Sequence, residues 1–115
     1  YLKIKSGYED VLIDLQNVIY IEKRRNQCVL HKIDEEISSY KPLKNVYERL
    51  DNDVFMYTHQ GYIANFNYIK EVKKDVVCFG RGMEVPLSRK YHDQIKELHL
   101  DKIRRAYKEQ ELNYN

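Results

Sequence analysis

The chain has 115 residues, 43% of them hydrophobic and 33% charged, and a formal net charge of +2. That length holds one domain around one core and excludes a catalytic cleft between two lobes, while the composition excludes wholesale disorder. No stretch approaches the roughly 18 apolar residues of a membrane helix, and the alternating start Tyr1-Leu2-Lys3-Ile4-Lys5 is not a signal-peptide core, so a cytoplasmic protein with no membrane contact is expected. Tyr, not Met, stands first and opens directly into strand-like sequence, as in a piece of a longer protein.

Taken in chain order, Leu2 and Ile4 alternate with Lys3 and Lys5, Ser6-Gly7 breaks the run, and Val11 and Ile13 resume the period of two, which predicts a hairpin. Asp14 is placed to cap one helical turn through Leu15-Gln16-Asn17. Val18 to Ile21 is apolar on both faces and reads as a buried strand, joined by a polar, basic loop from Lys23 to Gln27 to the strand Cys28-Val29-Leu30. Glu36 to Tyr40 alternates again. Pro42 then precedes Leu43, Val46, Tyr47 and Leu50, a spacing of three and four that predicts a helix starting at Pro42 and ending near Leu50-Asp51-Asn52. Strands are predicted at Val54–Tyr57, around Tyr62-Ile63, at Tyr68–Val72, at Val76–Phe79 and at Met83–Val85, with Gly80-Arg81-Gly82 as a hairpin loop. Ser88 reads as the N-cap of a closing helix in which Tyr91, Ile95 and Leu98 share a face, and the segment after Leu100 stays helix-prone but polar. The expected fold is mainly β with short helices: short antiparallel strands, one mid-chain helix and a C-terminal helix. Residues 1–100 form the domain and 101–115 a polar helical tail.

A net charge of +2 says little, but its distribution says more. Lys23, Arg24, Arg25, His31 and Lys32 fall in one segment free of acids, and Asp34, Glu35 and Glu36 follow at once. Such segregation gives a near-neutral chain a basic face, since attraction to phosphate depends on local potential. Cys28 and His31 resemble a metal pair only until they are placed on a strand, where an odd spacing sends them to opposite faces. No zinc site and no cofactor is expected. Gly80-Arg81-Gly82 lacks the helix start that would aim amides at a phosphate. No nucleophile has a partner His and no paired carboxylates stand out, so the chain is not expected to be an enzyme. The 11 Tyr are expected mostly on strands, in core and sheet surface.

Three segments in order resemble the LytTR family of bacterial DNA-binding domains. Leu15-Gln16-Asn17-Val18-Ile19-Tyr20-Ile21-Glu22 is similar to the family's strand leading into its first DNA-facing loop. Phe55-Met56-Tyr57-Thr58-His59-Gln60-Gly61-Tyr62-Ile63-Ala64-Asn65 resembles its most specific motif, and Val85-Pro86-Leu87-Ser88-Arg89-Lys90-Tyr91 resembles the motif around its base-contacting Arg. The resemblance spans roughly residues 2 to 98. It implies an elongated β fold whose edge loops enter successive major grooves, acting as the sequence-specific output domain of a transcriptional regulator, in the family most often a two-component response regulator with an upstream receiver domain. Double-stranded DNA with two half-sites and a second copy of the chain on that DNA are the implied partners; a protein-interaction module on the same scaffold is the alternative.

The resemblance puts Arg89 on a base or phosphate, with Lys90 on a phosphate beside it; a guanidinium fits O6 and N7 of guanine. Gln60 replaces the family's usual Arg or Asn and Gly61 its usual Ser, so Gln60 either reads adenine or serves the turn. His59 reads as structural, with room for a phosphate hydrogen bond, and Asn65 as serving backbone groups before Phe66. Lys23, Arg24 and Arg25 read as phosphate clamps. No His stands where some members use one in the first loop, and Asn26 and Gln27 are nearest that place.

Overall fold

The alternating start folds into β1 (Leu2–Ser6) and β2 (Glu9–Ile13), paired antiparallel with Leu2 opposite Ile13, across a turn in which Gly7 takes φ +64°. The side chain of Asp14 accepts the Gln16 N–H at 3.1 Å and opens the single 3-10 turn Leu15–Asn17, as the sequence predicts. In this computed structural model, which describes residues 1–114, the chain continues through β3 (Val18–Arg24), β4 (Gln27–Lys32), β5 (Glu36–Ser39), the helix α1 (Leu43–Tyr47), β6 (Phe55–His59) and β7 (Tyr62–Asn65). A 3-10 turn, Phe66–Tyr68, leads to β8 (Glu71–Val72), β9 (Val76–Gly80), β10 (Met83–Pro86) and the long helix α2 (Arg89–Tyr114).

The organising layer is a five-stranded antiparallel sheet in the order β5-β4-β3-β7-β6. Side chains alternate across it. One face carries Ile21, Cys28, Leu30, Phe55 and Ile63, which bury against Leu2, Ile4 and Ile13 of the first hairpin and Leu43 and Val46 of α1. Ala64 and Tyr20 face the other way, toward the three-stranded sheet β10-β9-β8 and α2, whose Val77, Phe79, Val85 and Ile95 complete a second core where the chain length suggested only one, because the central sheet buries both of its faces. The radius of gyration, 15.4 Å, exceeds the ~13 Å of a compact chain of this length, and the extents are 56 × 30 × 26 Å. The molecule is elongated, mostly β, as expected.

Three elements differ from the sequence reading. The helix predicted from Pro42 to about Leu50 is α1 alone, five residues long, with Pro42 preceding it; Arg49 and Leu50 donate to Val46 and Tyr47, a tightened turn that still buries Leu50. The strand predicted at Tyr68–Val72 shrinks to two residues because Asn65 starts a 3-10 turn there. The predicted Lys23–Gln27 loop is a tight hairpin instead, Arg24 paired with Gln27, so only Arg25 and Asn26 are turn residues. α2 runs without a break through the position where the domain was expected to end.

Asn65 ties the end of β7 to the start of β3. It is 1% exposed, its amide donates to the Val18 carbonyl at 2.9 Å, and its Oδ1 accepts the Asn67 N–H at 3.0 Å. Asn65→Ala leaves the buried Val18 carbonyl without its donor and the part-buried Asn67 N–H without its acceptor, and we expect a loss of about 1–3 kcal/mol in urea unfolding; a loss below about 0.5 kcal/mol means that these bonds contribute nothing net.

Candidate nucleic-acid interface

Two hairpin tips leave the five-stranded sheet at the same end. Arg25-Asn26 joins β3 to β4, and Gln60-Gly61 joins β6 to β7. Because β3 and β7 are neighbours, with Glu22 opposite Tyr62, the tips stand side by side, and the Lys23 N–H donates to the Gly61 carbonyl at 2.8 Å. The start of α2 joins them at the edge: the Ser88 N–H donates to the Thr58 carbonyl of β6 at 2.8 Å, and the Ser88 carbonyl accepts from Tyr91 and His92 in the first turn of the helix. Strands lie about 4.8 Å apart, so the row from Arg25-Asn26 through Gln60-Gly61 to Ser88 is on the order of 17 Å long. Residues from three distant stretches of sequence thus form one edge.

Lys23, Arg24, Arg25, Asn26, Gln60, Arg89 and Lys90 are exposed there, and Gln27 and His59 are half-buried. The Nδ1 of His59 accepts the Gly61 N–H at 3.1 Å and its ring meets Tyr62 edge-on at 5.7 Å, so it braces the turn and leaves the neutral ring's proton on Nε2. The Lys90 ammonium lies 5.3 Å above the Tyr91 ring. Arg25 takes φ +60°, the left-handed region that the opening residue of a two-residue hairpin turn requires and that glycine fills without strain. Cys28 packs in the first core while His31 stacks on Tyr20 at 4.1 Å across the sheet.

Arg24 is not a free cation. Its Nη2 donates to Glu22 Oε1 at 2.5 Å, its Nη1 lies 3.6 Å from Glu36 Oε1, and His31 Nε2 sits 2.6 Å from the same Glu22 oxygen. Sequence reasoning counted His31 with the cations and Glu36 with the acids that follow them, and missed that both meet Glu22 and Arg24. The signal was present only in the strand pattern, which puts Glu22 and Arg24 on one face but does not reveal which residues of β4 and β5 lie beside them. Burial pushes the Glu22 carboxyl up, but the hydrogen bonds from His31 and Arg24 together with the Arg24 charge outweigh it and hold the group below the usual carboxylate range. A carboxylate with a lowered folded-state pKa adds stability above its unfolded value and loses it as pH falls through the folded one. Unfolding curves between neutral pH and about pH 3 should therefore show part of the acid destabilisation disappear in Glu22→Gln; an unchanged pH dependence means that the carboxylate is not selectively stabilised by folding.

The model of the LytTr DNA-binding domain matches residues 8–99 of the chain. The sensory transduction protein LytT of Bacillus anthracis is 25% identical over 93 residues, 76% of this chain and 38% of that protein. Its namesake in Bacillus subtilis (strain 168) is 22% identical over 102 residues, 84% of this chain and 42% of that one. The chain thus spans about two fifths of the curated relatives it matches. Among solved structures, a LytTr DNA-binding domain from Bacillus cereus, described as that of a methyl-accepting/DNA response regulator, superposes with a TM-score of 0.72 at 20% identity, covering 84% of this chain and 94% of that one. The family is a DNA-binding one rather than an enzyme family, and no helix among the described residues is long and apolar enough to cross a membrane. With the family model covering most of its length and the same fold beneath it, the chain belongs to the LytTr DNA-binding domain family.

Proposed function

We propose that this chain reads double-stranded DNA in a sequence-specific way, as the output domain of a bacterial transcriptional regulator, through the edge formed by Arg25-Asn26, Gln60-Gly61 and the start of α2. The observation that carries the reading is the convergence of these three segments. A row on the order of 17 Å is longer than the ~12 Å width of one major groove, so the outer segments meet DNA on either side of a phosphate backbone and not within a single groove. Arg89 and Lys90 stand at one end of the row, Lys23 and Arg25 at the other, and Gln60 between them.

In this reading Arg89 reads guanine through its two parallel donors, Gln60 reads adenine through its carboxamide, and Asn26 and Gln27 approach bases from the hairpin tip. Lys23, Arg25 and Lys90 neutralise phosphates and give affinity without selectivity. The Nε2 proton of His59 is available to a phosphate oxygen. One such edge specifies a short half-site, so two copies on half-sites about one helical turn apart supply the specificity that one cannot. The relatives' greater length and their description as sensory transduction proteins support a regulatory domain upstream, with a receiver as the reading the family favours.

Binding to selected and random duplexes tests the assignments. Arg89→Ala should weaken the selected site by about 1–3 kcal/mol more than random duplex, whereas Lys23→Ala weakens both alike. Equal losses for Arg89→Ala make it a phosphate clamp, and a Gln60→Ala variant with an unchanged ranking of single-base variants makes Gln60 a turn residue only. Arg25 offers an independent check, because its strained φ favours glycine on stability grounds. Arg25→Gly should unfold no more easily than the parent, with a gain of up to about 1 kcal/mol, and still bind duplex more weakly at low salt. Undiminished binding by that variant removes the hairpin tip from the interface.

A further inference from the structure

Beneath the Arg25-Asn26 tip, four side chains from three strands close into a ring. Arg24 and Glu22 come from β3, His31 from β4 and Glu36 from β5. Glu22 Oε1 takes Arg24 Nη2 at 2.5 Å and His31 Nε2 at 2.6 Å, while Glu36 reaches His31 Nδ1 at 3.5 Å and Arg24 Nη1 at 3.6 Å. The side chains of Glu22 and His31 are only 14% and 15% exposed. The imidazole is fixed from its other side by Tyr20, stacked at 4.1 Å, which is itself backed by Phe79 at 5.5 Å. Glu22 is therefore an anchored acceptor whose position is set by packing. An exposed ion pair contributes little, but one whose carboxylate is part-buried and shared by two donors keeps its geometry.

We propose that Glu22 and His31 are positioning residues that hold Arg24 against the sheet, so that the hairpin's counterion-releasing charge comes from Lys23 and Arg25 and not from Arg24. The inference rests on the DNA-binding reading above and deepens it. Alternation along β3 directs Lys23 to the opposite face from Arg24, and neither Lys23 nor Arg25 has an ion-pair partner among the described residues. An Arg bound to Glu22 brings its countercharge with it and releases no condensed cation from DNA. The ring sets both the amount of charge at the tip and its placement.

Salt titrations of binding to a short random-sequence duplex test this, using the full chain, Glu22→Gln, Arg24→Ala, the double variant and Arg25→Ala. Arg25→Ala should flatten the plot of log affinity against log salt by about one. Glu22→Gln should bind more tightly at low salt and steepen that slope by about one, and Arg24→Ala in the same chain should abolish both changes. The proposal is overturned if the gain in Glu22→Gln survives loss of Arg24, since removal of a negative charge alone then explains it, or if Arg24→Ala by itself flattens the slope as much as Arg25→Ala. A wild-type chain that binds no duplex at low salt refutes the DNA reading instead. The latch is then decided in the free protein by nuclear magnetic resonance of the Arg24 guanidinium, which should rotate slowly in the wild type and freely in Glu22→Gln. A guanidinium already free in the wild type overturns it, whether or not Glu22→Gln folds.

Discussion

The pairing of β3 with β7 is the contact on which the rest of the molecule depends. Ile21 lies opposite Ile63 and Glu22 opposite Tyr62, and the ladder ends in the Lys23–Gly61 bond at the tips themselves. About forty residues separate the partners, so closing that loop costs entropy that only the burial on both faces of the sheet offsets. Ile21 and Ile63 supply it on one face, under the first hairpin and α1, and Ala64 on the other, under the smaller sheet and α2. Once β7 is docked on β3, β6 follows as its hairpin partner. The Thr58 carbonyl at that new edge then receives the Ser88 N–H, which fixes where α2 begins and where Arg89 points from. The proposed DNA edge is a consequence of sheet order.

Much of the fold was legible because period-two runs are punctuated by residues with their own turn chemistry. Asp14 marks an observed break, and Ser6-Gly7 and Gly80-Arg81-Gly82 mark two more to within one residue, since Ser6 and Gly80 still pair as strand ends and the turns are Gly7-Tyr8 and Arg81-Gly82. Where the sequence misled, a local signal lost to a tertiary one. The apolar spacing from Leu43 to Leu50 serves the core equally well as one short helix followed by a tight turn, and pattern alone does not separate the two. At the candidate site, family resemblance singled out Arg89 and Gln60 and charge singled out the basic cluster, and the fold brings all of them to one edge. That Lys23 belongs to a strand, that His59 spends one ring nitrogen on Gly61, and that Arg24 is paired all required the register of strands brought together from different parts of the chain.

The charge economy of the edge follows from the same register. A chain with a net charge of +2 concentrates cations at one end of one sheet, and the two carboxylates nearest to them are engaged by Arg24 and His31. Arg25 stands at a backbone position that favours glycine, which is the strain that a role at the proposed DNA edge would account for. Sheet packing thus governs electrostatics as well as shape.

The most direct test of one convergent DNA edge is a titration of isotope-labelled protein with a duplex, following every backbone amide by nuclear magnetic resonance. The account predicts that the largest shifts fall together on Lys23–Gln27, His59–Tyr62 and Ser88–Lys90. Shifts confined to one of these segments, or centred on Arg81-Gly82, the first hairpin or the exposed part of α2 from Ile103 to Tyr107, would contradict it.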